Sequence, residues 1–204
     1  MVSVRKLIYF VILLILVFQS TGNAAKNSGD PVTGTSGQGV YSLKVDVDAP
    51  PSFLYPYLIR EELISKWNQD KSVRVSFPKG IEPCIGKQIR VSLKYVPTSP
   101  WMLMEIVELT EPERVTTRFI DGVLTGEFSY ILSPTETGGT HLVQELRIKP
   151  VGALTTMVWE IHGKRVYRNK MGNFLAQIKK VVEHDFAKSQ SEHNISHETA
   201  VGAP

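Results

Sequence analysis

The chain has 204 residues, of which 42% are hydrophobic, and its formal net charge is +3. Single domains usually run to about 100 to 200 residues, so this length predicts one folded core with appendages. Arg5 and Lys6 lie in a leading segment without acids, which leaves the rest of the chain nearly neutral. Because nucleic-acid binding needs a concentrated basic face, this balance argues against DNA or RNA as the partner.

The first residues have the organisation of an export signal. Two basic residues precede an apolar run over residues 7–18, and Ala24 and Ala25 offer small residues for cleavage. The run is shorter than the roughly 20 apolar residues that a membrane-spanning helix needs. We therefore predict a cleaved signal peptide over residues 1–25, with an uncleaved membrane anchor as the alternative. Both place the domain outside the cytoplasm, either in a periplasm or secreted.

Two polar segments flank the region that has the patterning of a folded domain. Residues 26–39 are mostly Gly, Ser, Thr and Asn with almost nothing apolar, which predicts a flexible linker. The chain becomes polar again over residues 188–204, which predicts a disordered tail. The folded domain is thus predicted over residues 40–187.

The domain begins with a half-buried strand, in which Tyr41, Leu43 and Val45 alternate with polar residues. Two short helices are predicted next, because the prolines after Ala49 suit a first helical turn. Six further strand-like runs follow: Val73 to Phe77, Gln88 to Tyr95, Met102 to Leu109, Arg114 to Ile120, Gly126 to Leu132 and His141 to Ile148. Since no long segment with a helical period separates them, the sheet is predicted to be antiparallel.

The last part of the domain has the period of an amphipathic helix, predicted from about Ala153 to Ala187, with Gly163 and Gly172 as points where it could bend or break. The predicted class is α+β: a curved seven-stranded antiparallel sheet around one long C-terminal helix, with two short helices after the first strand. A sheet that curves away from a straight helix leaves a gap, and such a gap is a natural ligand cavity.

Several short stretches occur at characteristic places in this order of elements. They are Val47-Asp48-Ala49-Pro50, Ile64-Ser65-Lys66-Trp67, the hairpin from Glu108 to Val115, Gly138-Gly139-Thr140, and the helix end from Phe174 to Phe186. Together they resemble the START-like or SRPBCC superfamily, particularly its polyketide cyclase/dehydrase and lipid-transport branch, over nearly the whole domain. The resemblance implies a helix-grip fold with a cavity for lipids, sterols, quinones or polyketide-like rings. It does not imply one chemistry, since one fold hosts many functions.

Signals for catalysis or metal binding are weak. There is no G-x-S-x-G elbow and no phosphate-binding G-x-x-x-x-G-K-[ST] loop, and the single cysteine, Cys84, is typical of a small buried hydrophobic residue. His193 and His197 are four residues apart in the polar tail and are interpreted as solvated. The sequence therefore predicts no catalytic nucleophile, no metal and no cofactor.

Three carboxylates interrupt apolar strands and are the natural candidates for an acid or base. They are Glu105, Glu127 and Glu145. Strand alternation puts Phe128 and Tyr130 on one face and Glu127 on the other. Because the apolar face is the expected inner one, Glu127 is predicted to point outward, and the same parity places Glu145 outward.

The residues predicted to line the cavity are Phe128, Tyr130, Leu142 and Leu146 from the late strands and Trp159, His162, Met171 and Phe174 from the long helix. Ordinary core packing is the alternative for each of them. Tyr130, Trp159 and His162 also carry polar atoms that could orient a carbonyl or hydroxyl of a ligand.

The leading hypothesis is therefore an exported protein that binds or carries a hydrophobic small molecule. A cyclase or dehydratase that uses an inward Glu, Tyr130 or His162 is the second hypothesis. The third is an interaction module whose basic helix or tail docks a partner or an anionic membrane surface, and an association with the membrane through the N-terminal segment also stays open.

Overall fold

The computed structural model describes residues 33–37, 39–68, 73–76, 83–93, 101–121, 124–150 and 153–201. The predicted signal segment, residues 1–25, lies outside the described residues, so its cleavage and the export that it implies stay predictions. None of the helices in these ranges is long and apolar enough to cross a membrane.

The described residues contain one antiparallel sheet of eight strands in the order β1-β2-β8-β7-β6-β5-β4-β3. The strands are β1 (Thr33–Gly37), β2 (Val40–Val47), β3 (Val73–Ser76), β4 (Gln88–Leu93), β5 (Trp101–Thr110), β6 (Arg114–Asp121), β7 (Leu124–Pro134) and β8 (Thr140–Pro150). Each of the seven predicted strands is present. The curled sheet with its long helix confirms the α+β helix-grip fold.

Strand β1 corrects the predicted linker. Its residues pair antiparallel with β2 from Thr33 opposite Lys44 to Gly37 opposite Val40. A composition of Thr, Gly and Ser predicts a flexible linker because it lacks apolar alternation. Strand pairing, however, uses backbone groups that every residue except proline carries in full, so β2 can hold such a segment at the edge of the sheet. The linker prediction is wrong for residues 33–37.

Three short helices follow β2: α1 (Pro51–Leu54), α2 (Pro56–Ile59) and α3 (Glu61–Trp67). Two were predicted, and the difference lies in Pro56, which begins a helix of its own. A proline suits the first turn of a helix, where its missing N–H needs no partner. Arg60 is extended and separates α2 from α3.

The C-terminal helical region has three parts: α4 (Ala153–Val158), a π-helical turn (Trp159–Gly163) and α5 (Lys164–Val201). The predicted weak point at Gly163 is confirmed, whereas Gly172 lies inside uninterrupted helix. The prediction of a disordered tail is wrong for residues 188–201, because α5 continues through them. Lys188 and Glu192 are spaced four apart, 3.8 Å from Nζ to Oε1, and such pairs favour helix without any core contact.

The turn before β4 corrects a smaller prediction. Cys84 is exposed, not buried, and its neighbour Ile85 is 66% exposed. Both follow Pro83 in a turn that leads into β4, so they lie outside the sheet that would have covered them.

The sheet is strongly curved around α5, and two features of its centre allow the curvature. Gly126 in β7 has a φ of +126°, and a Cβ there would lie 2.0 Å from the carbonyl oxygen of Arg147 in β8. Only glycine fits such a close approach of two backbones. The pairing of β5 with β6 shifts register at Leu103/Met104 and again at Ile106/Glu108, and irregularities of this kind bend a strand.

Candidate ligand-binding site

The concave face of the sheet carries two separate clusters of buried side chains. The larger lies between β2, β7, β8, the short helices and α5, and the smaller consists of Ile89, Met104 and Ile106 on β4 and β5. Four apolar residues pack against both clusters and are only partly buried: Val75, Leu109, Phe119 and Phe128. The middle of the concave face is therefore an apolar wall that the protein's own side chains do not fully cover.

A group of aromatic residues with polar tips borders this wall. Tyr41 is on β2, Trp159 is in the π-helical turn and Tyr167 is on α5. The indole Nε1 of Trp159 donates a hydrogen bond to Oη of Tyr41 at 2.9 Å. The ring of Tyr41 lies edge-on to Trp159 at 5.4 Å and to Tyr167 at 6.1 Å between centroids. These contacts join the first strand of the predicted domain to the start of the long helix.

Gln144 lies at the centre of this group and is fully buried. It is opposite Leu43 on one side and Tyr130 on the other. Its Nε2 donates to Oη of Tyr167 at 2.9 Å, whereas its Oε1 has no hydrogen-bond partner in the described part of the chain. A buried acceptor without a donor costs about 1 to 3 kcal/mol. The site thus contains an acceptor that no described group of the protein satisfies.

The ionisation of the site follows from its burial. Burial raises the pKa of Tyr130 above its ordinary range, and the neighbouring Tyr167 adds to this effect. Burial likewise raises the pKa of Tyr167, against a smaller opposing effect of its hydrogen bond from Gln144. Both hydroxyls therefore stay neutral near pH 7. No Asp, Glu or His is among the buried side chains of the described residues, so an acid or base that titrates near neutral pH is not found there.

The candidate carboxylates lie on the convex face. Glu127 pairs with Arg118 at 2.9 Å between Oε1 and Nη2, and Arg118 is opposite Glu105 in the register of β5 and β6. Glu145 pairs with Arg147 at 2.9 Å between Oε2 and Nη2. The outward directions predicted for Glu127 and Glu145 are confirmed. Glu127 and Arg118 form a cross-strand pair on the outer surface, whereas Glu145 and Arg147 pair along the same strand, β8.

The residues predicted to line a cavity have the following positions. Tyr130, Leu142, Leu146, Trp159 and Phe174 are buried in the larger cluster, Phe128 and Met171 are half-buried against it, and the side chain of His162 lies outside the described residues. Leu146 lies between Tyr41 and Phe128 in register. Leu142 is opposite Val45 and Leu132 instead, and Phe174 packs on Trp67 at 6.0 Å between ring centroids. The structure therefore groups Phe128, Tyr130, Leu146 and Trp159 near Gln144, while Leu142 and Phe174 belong to a drier part of the core.

Sequence reasoning missed Tyr41, Gln144 and Tyr167. Gln144 occupies an inward position between Leu142 and Leu146, so a polar side chain at that parity is a detectable signal. Tyr167 precedes Met171 by four residues and therefore shares its helix face. Their hydrogen bond, by contrast, depends on how β8 and α5 meet in space.

Comparisons with known proteins support the fold. No family model and no curated protein matches the sequence. A protein from Rhodobacter sphaeroides superposes with a TM-score of 0.56 at 15% identity, covering 78% of this chain and 99% of its own. An Arthrobacter aurescens protein gives 0.56 at 12% identity over 75% and 92% of the two chains. One from Mycobacterium smegmatis gives 0.55 at 14% identity over 74% and 96%.

These identities are too low to transfer a function, so they show the fold alone. The chain is a helix-grip protein that shares its architecture with small bacterial proteins covered almost end to end. What it binds has to be argued from its own site.

Proposed function

We propose that this protein binds or carries a hydrophobic small molecule between the concave face of the sheet and the start of α5. The observation that carries this proposal is the half-buried wall between the two clusters, with Phe119 and Phe128 at its centre. Protein interiors are normally packed without gaps. Apolar side chains that face the inside of a curved sheet without full cover are the lining that an apolar ligand requires.

The nature of the site favours binding over catalysis. The side chains around the wall are aromatic or aliphatic, and the polar atoms beside them belong to neutral groups of Tyr41, Gln144 and Tyr167. Such groups orient a ligand, and the raised pKa of Tyr167 keeps its hydroxyl protonated near pH 7. A binding or carrier function therefore needs only what the site contains.

A route to the wall is offered by the helical region that precedes α5. Met157 and Ile161 are 51% and 61% exposed and flank the buried Trp159. Apolar side chains at the surface beside a buried aromatic residue suit the first contact with an apolar molecule or with the surface of the membrane that supplies it. We propose this segment as the place where the ligand enters.

The family and the location are part of the same proposal. The short stretches and the helix-grip fold together favour a START-like or SRPBCC protein. The basic residues and apolar run at the N-terminus favour export, with the segment either cleaved or kept as a membrane anchor. An exported carrier is reasonable because amphipathic cargo outside the cytoplasm must cross water between membranes.

Paired tryptophan variants test the proposal directly. Phe119→Trp adds volume on the concave face, whereas Ile120→Trp makes a comparable change at the next residue, which is 39% exposed. We expect the uncharged dye Nile red to bind the wild type, to bind the Ile120→Trp variant equally well, and to bind the Phe119→Trp variant at least about tenfold more weakly. Equal binding by all three proteins, or no binding to the wild type, would contradict the proposal.

A further inference from the structure

The side-chain oxygen of Gln144, which has no partner among the described residues, restricts the chemistry of the ligand. Gln144 is 0% exposed, and its amide lies on the concave side of β8 between Leu43 and Tyr130. Its nitrogen donates to Tyr167, which holds the side chain in place, and no described residue donates to either lone pair of Oε1. A group that fills this place has to be a hydrogen-bond donor.

The tyrosine hydroxyls beside Gln144 are the second polar feature of the site. Oη of Tyr167 accepts its hydrogen bond from Gln144, which leaves the proton of the same hydroxyl available to donate. Tyr130 lies directly opposite Gln144 in the register of β7 and β8. The site thus offers one strong acceptor next to hydroxyl protons, and a hydroxyl, which both donates and accepts, is complementary to this arrangement.

The charges of the interior exclude an anionic head at this position. The buried charged side chain in the described part of the chain is Lys87, which lies just before β4 and is separated from β8 by β7, β6 and β5. A carboxylate or phosphate placed at Gln144 would face an amide oxygen, which is costly in an apolar interior. Lys164 lies 5.9 Å from the centroid of the Tyr41 ring, but its side chain is partly exposed and already pairs with Glu160. A ketone or ether would leave Oε1 unpaired.

We propose that the ligand is an uncharged apolar molecule with an alcohol or phenol hydroxyl, which donates to Oε1 of Gln144 and accepts from a neighbouring tyrosine. This inference rests on the proposed function, because it assumes that the ligand lies against the half-buried wall. Sterol-like and phenolic ring compounds share the required chemistry, and the experiment distinguishes them.

Two matched series of probes test the inference with purified full-length protein. The first is cholesterol, its methyl ether and its sulfate, and the second is naphthol, its methyl ether and naphthoate. Binding is followed by the quenching of tryptophan fluorescence and by thermal stabilisation. We expect the alcohol of at least one series to bind about tenfold more tightly than its ether and its anion.

Substitution of Gln144 identifies the cause of that preference. Gln144→Leu removes the acceptor at nearly constant volume, and Gln144→Met is a second apolar replacement in case the branched side chain disturbs the core. In at least one of them we expect the alcohol to lose its advantage, while the ether binds at least as well as to the wild type. Retained binding of the ether shows that the variant is folded.

The outcomes separate the two proposals. Equal affinity of alcohol and ether for the wild type, or a preference for the anion, overturns the hydroxyl inference while binding itself stands. A preference that persists in both Gln144 variants also overturns it. The absence of binding by every probe, together with no binding of Nile red, overturns the hydroxyl inference and the proposed function alike.

Discussion

The two ends of the interface between the sheet and the long helix are built differently. Towards the C-terminus of the domain, Leu175, Ile178 and Val182 are fully buried against the sheet and the short helices. Towards the start of α5, the interface consists of Tyr41, Trp159 and Tyr167 with their polar tips. One end is apolar, whereas the other contains hydroxyls, an indole N–H and an amide whose oxygen has no partner among the described residues.

Hydrogen bonds and ion pairs near the surface also connect the helix to the rest of the domain at the dry end. Asp185 accepts hydrogen bonds from Oη of Tyr57 and Nζ of Lys66, each at 2.7 Å. Lys179 donates to the carbonyl oxygen of Asp46 at 2.8 Å. This difference suggests that the two ends have different roles. The dry end holds the helix on the sheet, whereas the polar-tipped end is less stable because it forms the proposed binding site.

The largest effect is expected at the dry end. Ile178→Ala removes a fully buried side chain, and the lost burial plus the cavity should lower the free energy of unfolding by about 2 to 5 kcal/mol. Urea unfolding followed by circular dichroism measures this loss. The exposed Lys180→Ala is the control, with an expected change within about 0.5 kcal/mol. A loss below about 1 kcal/mol for Ile178→Ala would show that this end does not hold the helix.

Replacing a glycine by alanine should have opposite effects on stability in the curved sheet and in the helix. Gly126→Ala would place a Cβ 2.0 Å from the carbonyl oxygen of Arg147, so we expect a loss of about 2 to 3 kcal/mol. Gly172 is helical and its Cβ would meet nothing within 4 Å, so Gly172→Ala should raise stability by up to about 1 kcal/mol. Thermal unfolding of both variants shows whether each substitution raises or lowers stability. A change in the same direction for both would contradict the requirement for glycine at position 126.

At the polar-tipped end we expect a core substitution to leave the free energy of unfolding unchanged or to raise it, in contrast to the dry end. Replacing Gln144 by Leu and Tyr167 by Phe together removes the amide oxygen that no described residue pairs with, along with the hydroxyl that is hydrogen-bonded to the amide nitrogen. Such paired replacement by apolar groups of similar shape is neutral or stabilising, so we expect a gain of roughly 0 to 1 kcal/mol in urea unfolding. A clear loss of stability in the double variant would mean that the polar group is structural.

The smallest effect on stability is expected from the hydrogen bonds that Asp185 accepts. The hydrogen bond from Lys66, followed by that from Tyr57, lowers the pKa of Asp185 below its ordinary 3.8. The ionised form therefore stabilises the fold above that pH, and this contribution disappears as the pH falls through the lowered value. Asp185→Asn should cost less than about 1 kcal/mol at pH 7 and should flatten the loss of stability below about pH 4.

A double-mutant cycle with Lys66→Met isolates this interaction from other effects of the substitutions. The coupling energy should be present at pH 7 and should vanish at acid pH. A coupling that is independent of pH would contradict the electrostatic origin of this interaction.

The parts of the fold that follow from periodicity were accessible from the sequence. Alternation predicted the seven strands, and the buried positions of Tyr130, Leu142, Leu146 and Ile148 confirm the inward parity of β7 and β8. The helical period predicted a helix from about Ala153 to Ala187, which covers α4, the π-helical turn and most of α5. Strand β1 was not accessible, since its position depends on the backbone of β2 and not on its own side chains.

The site was predicted only in part, and the reason is physical. Phe128, Tyr130 and Trp159 could be selected because large aromatic side chains at inward positions are visible in one dimension. The pairing of Gln144 with Tyr167, and of Tyr41 with Trp159, joins residues far apart in the chain. Their geometry is set by the register of β2 on β8 and by the π-helical turn before α5, which no local pattern specifies.

Native mass spectrometry of the protein, purified without detergent from the compartment where its host keeps it, tests the central claim most directly. We predict a population heavier than the polypeptide by the mass of one small molecule, which is released on denaturation and can be extracted into an organic solvent. A polypeptide mass without any bound compound, together with no thermal stabilisation by lipids, quinones or sterols, would contradict the binding function.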